Sequence, residues 1–568
     1  MNRFYDAAMQ IQTGHYNYFQ SFFGFQQSGR SVNALYGPLF AYLNGALLLI
    51  TKTWYRYQIA SSFLVLFISG SLMYRLAVKN HVKGYIGIII AMLYMMSDPV
   101  MAWVVGQQFT GWGAAFLPLA LLMGTEMVRN KRISIIKLSL AMALLLQVHF
   151  MTSLMAALSL VPFFLVALYL SNQRLKLFQQ LFLAIGLTVL LTANVWGGML
   201  ELSLSNNLLP VAPGIDVSVT APRVAGQSSG VLASSTASAG VGSGLNTLGV
   251  SVPFLLILLA ILGYLVFNYK RMPKLTYLIT ATGVGFLYIA SDYFPWHYLA
   301  HLLPSVDYIQ FPSRFLVVAI VLMLLAFGMC LSNSDGLMIS PIIKIGFTVY
   351  VLLAVQATSY QELQNGIAAY QSDQVVLPDR NLTISPLKPA KLRAMFNTDN
   401  LELAINAFNK PTPDYLPFFV KIHPDQYWVY HPYHLYKSQI LTNLKPNNSD
   451  KDKQSDTPPV KKVVTDKGLE ITWTNPLDHK WWISIPVIKY ANTVVLIDGK
   501  RVPVDTSSIG KMFIDSKPGI NHALIFYQST WWYYLSVLAT LITALALLIN
   551  PIVKKALIYL KKSKIIKI

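Results

Sequence analysis

The sequence predicts a polytopic α-helical membrane protein of about eleven or twelve spans, with an extracytoplasmic β-rich, sandwich-like domain ahead of its last helix. Three observations carry this. Apolar residues make up 54% of the chain and charged residues only 12%, with a mean hydropathy of +0.48, far from the balance of a soluble domain. Runs of about 20 apolar residues, the length a bilayer core requires, recur between residues 36 and 358 and once more at 531–550. Residues 359–530 hold charges, prolines and short alternating runs instead.

Residues 1–35 come first and are polar and rich in aromatics. They read as amphipathic pieces lying on the membrane surface: Asp6 and Gln10 share one helical face, and Phe4, Ala8 and Ile11 another. Asp6 and Arg3, three residues apart, read as a surface ion pair. Spans follow near 36–51, 57–77, 84–104, 111–128, 133–151, 153–170, 177–203, 249–268, 275–291, 315–331 and 339–358. Basic residues cluster in alternate loops, at Arg75 to Lys83, Arg129 to Lys137, Arg174 and Lys176, Lys270 to Lys274, and in the tail 551–568. That alternation assigns those loops to the cytoplasm. It also puts residues 1–35 in the cytoplasm if 36–51 crosses. The run 36–51 is short and holds Pro38, Asn44 and Gly45, so the other readings are a shallow or re-entrant helix, which leaves residues 1–35 outside, or a different number of crossings within 133–170.

The outer segment 359–530 is β in its second half. ITWT (471–474), WWISIPVI (481–488), NTVVLI (492–497) and HALIFY (522–527) are rich in β-branched and aromatic residues. Asp498-Gly499 between NTVVLI and KRVPV is a two-residue hairpin signal. The stretch 445–458 is too polar to bury. Trp531 to Tyr534 mark the interface where the final helix enters the bilayer.

The formal charge of +20 does not indicate nucleic acid, because the basic residues sit in short loops and at the C-terminus, where topology and anionic lipid account for them. The single cysteine, Cys330, lies inside an apolar run and offers neither a disulfide nor a metal site. No cofactor is identified; His297 and His301 in HYLAH would face one way on a helix, but no third ligand is in register for a divalent metal. Asp307 follows them in the same loop.

QFPSRF, Gln310 to Phe315, places Arg314 where a late span begins. An arginine there can bind a lipid phosphate through both arms of its fork. The alternative is an interfacial arginine that snorkels to headgroups. Acids near the membrane are costly and tend to have a task. Glu126 reads as the partner of Arg129, one turn on. Asp98 precedes Pro99 and reads either as a cap after a kink or as a cavity acid, and Glu201 and Asp292 complete the set. His149 reads as the polar turn of a helical hairpin.

NRFYDAAMQIQTG (2–14) and NYFQSFFGFQQSGRSVNALYGPLFAYL (17–43), with QFPSRF ahead of a late span and a β-rich domain before the last helix, resemble bacterial membrane proteins described as 6-pyruvoyl-tetrahydropterin synthase-related. The chain is similar, more distantly, to YfhO-like proteins. Those groups look like C-type glycosyltransferases (the GT-C fold), which take a sugar from a polyprenyl-phosphate donor at the outer membrane face. The resemblance implies a donor of that kind, a cell-envelope polymer or lipid as acceptor, and membrane lipids as partners. It implies that Arg314, Gln310, Arg30, Arg3 and Tyr36 serve the lipid phosphate and leaves Asp6 as the base in the matching segment. The acidic loop and first helix of the C-type pattern would then lie upstream of Met1. A non-catalytic envelope-assembly scaffold and a transporter are the rival readings.

Overall fold

A computed structural model describes residues 1–209, 217, 252–333, 341–373, 383–384, 388–409, 414–419 and 459–565. The predicted linker 445–458 and most of the loop 204–248 lie outside the described residues. The helices are α1 (Asn2–Thr13), α2 (Pro38–Thr51), α3 (Trp54–Lys79), α4 (Gly84–Met95), α5 (Asp98–Gly106), α6 (Thr110–Asn130), α7 (Ile135–Val148), α8 (Phe150–Leu170), α9 (Arg174–Leu191) and α10 (Ala193–Ser205). Then come α11 (Val252–Phe267), α12 (Lys274–Ala290), α13 (Trp296–Leu302), α14 (Leu316–Ser332), α15 (Pro341–Gln371), α16 (Pro389–Asn397), α17 (Leu401–Ala407) and α18 (Trp531–Ile565).

Seven of the described helices are long and apolar enough to cross a membrane, and the bent pair α4 and α5 makes an eighth if it counts as one span. Four shorter apolar helices, α2, α7, α11 and α12, accompany them. The helix predicted at 339–358 continues to Gln371, into the segment read from sequence as the outer domain. At the centre stands α14, buried along nearly its whole length. A helix apolar all round has no face for water, so burial by its neighbours is the expected outcome.

The bundle has two distinct ends. Arg129, in the last turn of α6, donates to the carbonyl of Lys79 at the end of α3, and the Lys83 amide donates to Ser332 Oγ at the end of α14 (3.0 Å). These contacts join the basic loops at one end. At the other, Phe109, just before α6, packs its ring on Phe4 of α1 (centroids 5.8 Å). Helix α7 runs between the two: the Ile133 amide before it donates to Gln180 Oε1 (2.9 Å), and Gln147 near its end donates to Asn194 Oδ1 (3.0 Å).

Helix α2 does neither. It starts at Gly37, packed against the backbone of Gln147 at the far end of α7, and it finishes where Thr53 caps the start of α3. Its fourteen residues rise about 21 Å, short of a bilayer core, and both its ends lie at the α1 end of the bundle. Within the bundle, α2 thus lies across the α1 end and does not run the length of its neighbours. A Cβ on Gly37 would stand 2.0 Å from the Gln147 carbonyl oxygen, so Gly37→Ala cannot be accommodated without separating α2 from α7. We expect that substitution to lower the Tm of the detergent-solubilised protein by several degrees, a cost of about 1–3 kcal/mol; an unaltered Tm would show that the close approach is dispensable.

The β domain holds β3 (Val460–Thr465), β4 (Gly468–Asn475), β5 (Trp481–Ile488), β6 (Thr493–Ile497), β7 (Lys500–Arg501), β8 (Asp505–Thr506), β9 (Lys511–Ser516) and β10 (Gly519–Tyr527); the short pair β1 (Thr383–Ile384) and β2 (Phe408–Asn409) lies apart. One sheet has the order β3-β4-β10-β6-β7 and the other β5-β9-β8, all antiparallel. Ile471 and Trp473 from the first meet Ile483, Ile485 and Ile514 from the second in one core. Asp498 (φ 50°) and Gly499 (φ 77°) turn β6 into β7, the left-handed pair that a tight hairpin demands.

The N-terminal segment belongs to this domain as much as to the bundle. Phe22 is buried in the β core, the Ile488 amide donates to the Ser28 carbonyl (2.8 Å), and Gln20 donates to the Ile488 carbonyl (3.0 Å). Lys462 Nζ donates to the carbonyls of Gln26, Gln27 and Pro486. The surface-helix expectation for residues 1–35 is thus corrected: in α1, Phe4, Tyr5, Ala7 and Ala8 are buried, because α2 and the neighbouring bundle helices cover one side of α1 and the turn at Gly24 closes on Asn2 and Asp6.

Candidate functional site

The site lies where α1, the loop 14–37, α14 and the segment 414–419 meet at the β-domain end. Arg3 is only 7% exposed. Its Nε donates to Asn33 Oδ1 (3.0 Å), and its guanidinium lies 4.5 Å from the centre of the Tyr36 ring and 5.6 Å from that of Phe109. Its Nη2 is buried with no hydrogen-bond partner. Leaving a guanidinium N–H unmet in a buried site is expensive. The Arg3–Asp6 pair expected from their spacing does not form, because other donors occupy the carboxylate.

Asp6 is fully buried. Its Oδ1 accepts from the amides of Phe23 (3.0 Å) and Gly24 (3.1 Å), and its Oδ2 from Gln10 Nε2 (2.8 Å) and Asn33 Nδ2 (3.3 Å). Two bonds on each oxygen fill the four acceptor sites of a carboxylate. Burial pushes its pKa from 3.8 up to about 6, opposed by the Gly24, Phe23 and Gln10 hydrogen bonds. A folded-state value above the unfolded one means that the native state holds the proton more tightly, so this contribution is full below about 4 and lost as pH rises through about 6, on the order of 3 kcal/mol. Asp6→Asn should flatten the dependence of Tm on pH between about 4 and 7. If the slope stays as in the wild type, Asp6 is not its source.

Arg314 is half-buried in the 3-10 turn Pro312–Phe315 that leads into α14. Its Nη1 donates to the Ile309 carbonyl (2.6 Å) and its Nη2 to Gln310 Oε1 (3.1 Å). Gln310, at φ 61°, thus orients Arg314. Arg314 lies within electrostatic range of Tyr36 and Tyr415, as Arg3 does. Neither arginine forms an ion pair with a carboxylate among the described residues.

Arg30 is buried too, but it is otherwise occupied. Its Nη2 donates to the Asp414 carbonyl (2.8 Å), and Asp414 is its nearest charge. Asp98 stands elsewhere, at the start of α5 after a 47° bend from α4 and within electrostatic range of Glu362 on α15. Glu126 pairs with Lys137 of the next helix (3.9 Å), a correction to the expected i,i+3 partner: Arg129 turns its guanidinium to the Lys79 carbonyl. Glu201 is buried and latches the β domain to α10, accepting from the Thr530 amide (3.0 Å), the Thr530 hydroxyl and Asn492 Nδ2 (3.2 Å). His297 and His301 are exposed on α13, their rings 6.4 Å apart, and among the described residues no group of three metal-ligating side chains occurs. The Asp307 side chain lies outside what is described.

Sequence reasoning missed Tyr18 and Tyr415 and read His149 only as a turn. Tyr18 Oη is buried without a hydrogen-bond partner and is in electrostatic range of Arg3. Tyr415 has a left-handed backbone (φ 62°) held by hydrogen bonds of its amide to the Leu209 carbonyl (2.9 Å) and of its carbonyl from Tyr490 Oη (3.0 Å). Its hydroxyl meets that of Tyr36 at 2.5 Å. A bulky residue in this conformation costs about 1–3 kcal/mol and persists only where its surroundings fix it. His149 Nδ1 lies 2.8 Å from the Thr152 hydroxyl and 3.3 Å from the Thr152 amide at the start of α8, and both Arg3 and Arg314 are within electrostatic range of the ring. The cluster is therefore rich in donors: guanidinium, phenol and imidazole N–H groups, with Asp6 already saturated and Asp414 beside Arg30. Such a set suits an oxyanion.

Comparison of the chain with family models, with curated proteins and with solved structures finds no match.

Proposed function

We propose that this chain is a cell-membrane protein that binds a polyprenyl-phosphate-linked sugar, its phosphate lying between Arg3 and Arg314. The observation that carries the reading is a pair of sheltered guanidiniums that form no ion pair with a carboxylate among the described residues, one of them with an unpartnered N–H. A phosphate would satisfy both at once. Tyr18 and one of the Tyr36–Tyr415 pair, whose mutual hydrogen bond uses the other's proton, would donate to its remaining oxygens, with Gln310 orienting Arg314. The positive-inside rule puts the basic end in the cytoplasm and so the site, with the β domain, on the outer face.

On the resemblance to C-type glycosyltransferases, the activity is transfer of the sugar to an envelope polymer or lipid, with the two cations stabilising the departing prenyl phosphate. Asp6, the candidate base, favours a second reading. With both oxygens doubly bonded it offers an acceptor hydroxyl no free site, which suits a non-catalytic, lipid-phosphate-binding role in envelope assembly. Transfer assays in membranes with polyprenyl-phosphate sugars separate the two. The enzyme reading expects product from the wild type and a fall of at least about 100-fold in Arg314→Ala at equal folded protein. Binding without any transfer would leave the assembly role.

A further inference from the structure

We propose a second anion site, at the opposite end of the bundle: the cleft between α6 and α7 holds the phosphate of an anionic glycerophospholipid. The cleft is lined by Asn130, Arg132, Ser134 and Lys137 above a floor that includes Met127 and Leu138. The turn that forms it is fixed, since Ile133 is buried and its amide donates to Gln180 Oε1 (2.9 Å).

Charge decides the ligand. Glu126 also lines the cleft, but it is paired with Lys137, whereas Arg132 is exposed and has no ion-pair partner among the described residues. Arg132 and Lys137 against Glu126 leave a net positive cleft, and Lys131 and Arg129 flank it. The position of Glu126 also argues against an ethanolamine headgroup, because the carboxylate that would take its ammonium is engaged. Ile136 and Leu140, one turn apart on α7 and next to Lys137, are 50% and 48% exposed, an apolar strip on the flank of the helix outside the cleft that leads away from the basic end. An acyl chain lying on them would hang from a phosphate at Arg132. Membrane topology alone asks for basic residues in this loop but not for a concavity with an apolar floor.

The test uses the full chain, purified and delipidated, with bound lipids counted by native mass spectrometry against phosphatidylglycerol, phosphatidylethanolamine and phosphatidylcholine. Phosphatidylglycerol should be retained roughly 30-fold better than phosphatidylcholine, and Arg132→Gln/Lys137→Gln should abolish the preference. Arg174→Gln, in another basic loop, should not change it. Single Arg132→Gln, expected to lose most of it, serves if the double variant misfolds. Equal retention of the three lipids, a preference for phosphatidylethanolamine, or full retention in the variants would overturn the proposal. Displacement of the lipid by an equal concentration of inorganic phosphate would overturn it as well, in favour of a free-phosphate site.

Discussion

Replacing Arg3 by glutamine is expected to weaken binding of a prenyl phosphate by roughly 30- to 1,000-fold, about 2–4 kcal/mol, the usual cost of removing one partner from a sheltered charge-assisted contact. The expected loss is large because the Arg3 fork is held in place before the ligand arrives, by Asn33 on Nε and by the Tyr36 and Phe109 rings on its faces. Arg3→Lys keeps the charge but not the fork, and should recover only part of the affinity. Equilibrium binding in nanodiscs, with Tm as a check on folding, makes the comparison. Wild-type affinity in Arg3→Gln would exclude that residue from the phosphate site.

The second large effect concerns the joint between the two parts of the molecule. Glu201→Ala removes an acceptor from the Thr530 amide, the Thr530 hydroxyl and Asn492 together, at the point where the β domain passes into α18. Hydrogen bonds to a buried charge contribute about 1.5–3 kcal/mol each, and the donors left behind pay for desolvation, so a loss of about 3–5 kcal/mol is expected. Glu201→Gln should recover part of it. Limited proteolysis would show earlier cleavage near residues 528–530, and thermal unfolding a lower first transition; identical profiles would mean that the latch is redundant.

Much of the fold was legible in the sequence because its signals are local. Apolar runs of spanning length mark themselves, and WWISIPVI became β5 residue for residue while Asp498-Gly499 made the expected turn. Helix α2 was not decidable, since a largely apolar run of fourteen residues looks alike whether it crosses or lies across the bundle; only the packing of Gly37 on Gln147 reveals the direction. The site was half legible. Arg314, Arg3 and Tyr36 stood out, but what they do depends on segments far away in the chain. Asn33 returns to bridge Arg3 and Asp6, and Tyr415 arrives from the outer segment to meet Tyr36. Tyr18 carried no signal that sets it apart from other interfacial aromatics. Spacing predicted an Arg3–Asp6 pair because it considers α1 alone, whereas the loop 23–33 supplies the donors that saturate the carboxylate.

The most direct test of the central claim is a structure of the full chain in a nanodisc with a polyprenyl phosphate bound. The expected result is phosphate density within hydrogen-bond distance of Arg3 Nη2 and the Arg314 guanidinium, near the Tyr36 and Tyr415 hydroxyls. Saturating lipid phosphate that leaves this cluster empty, or settles at another place on the bundle, would contradict it.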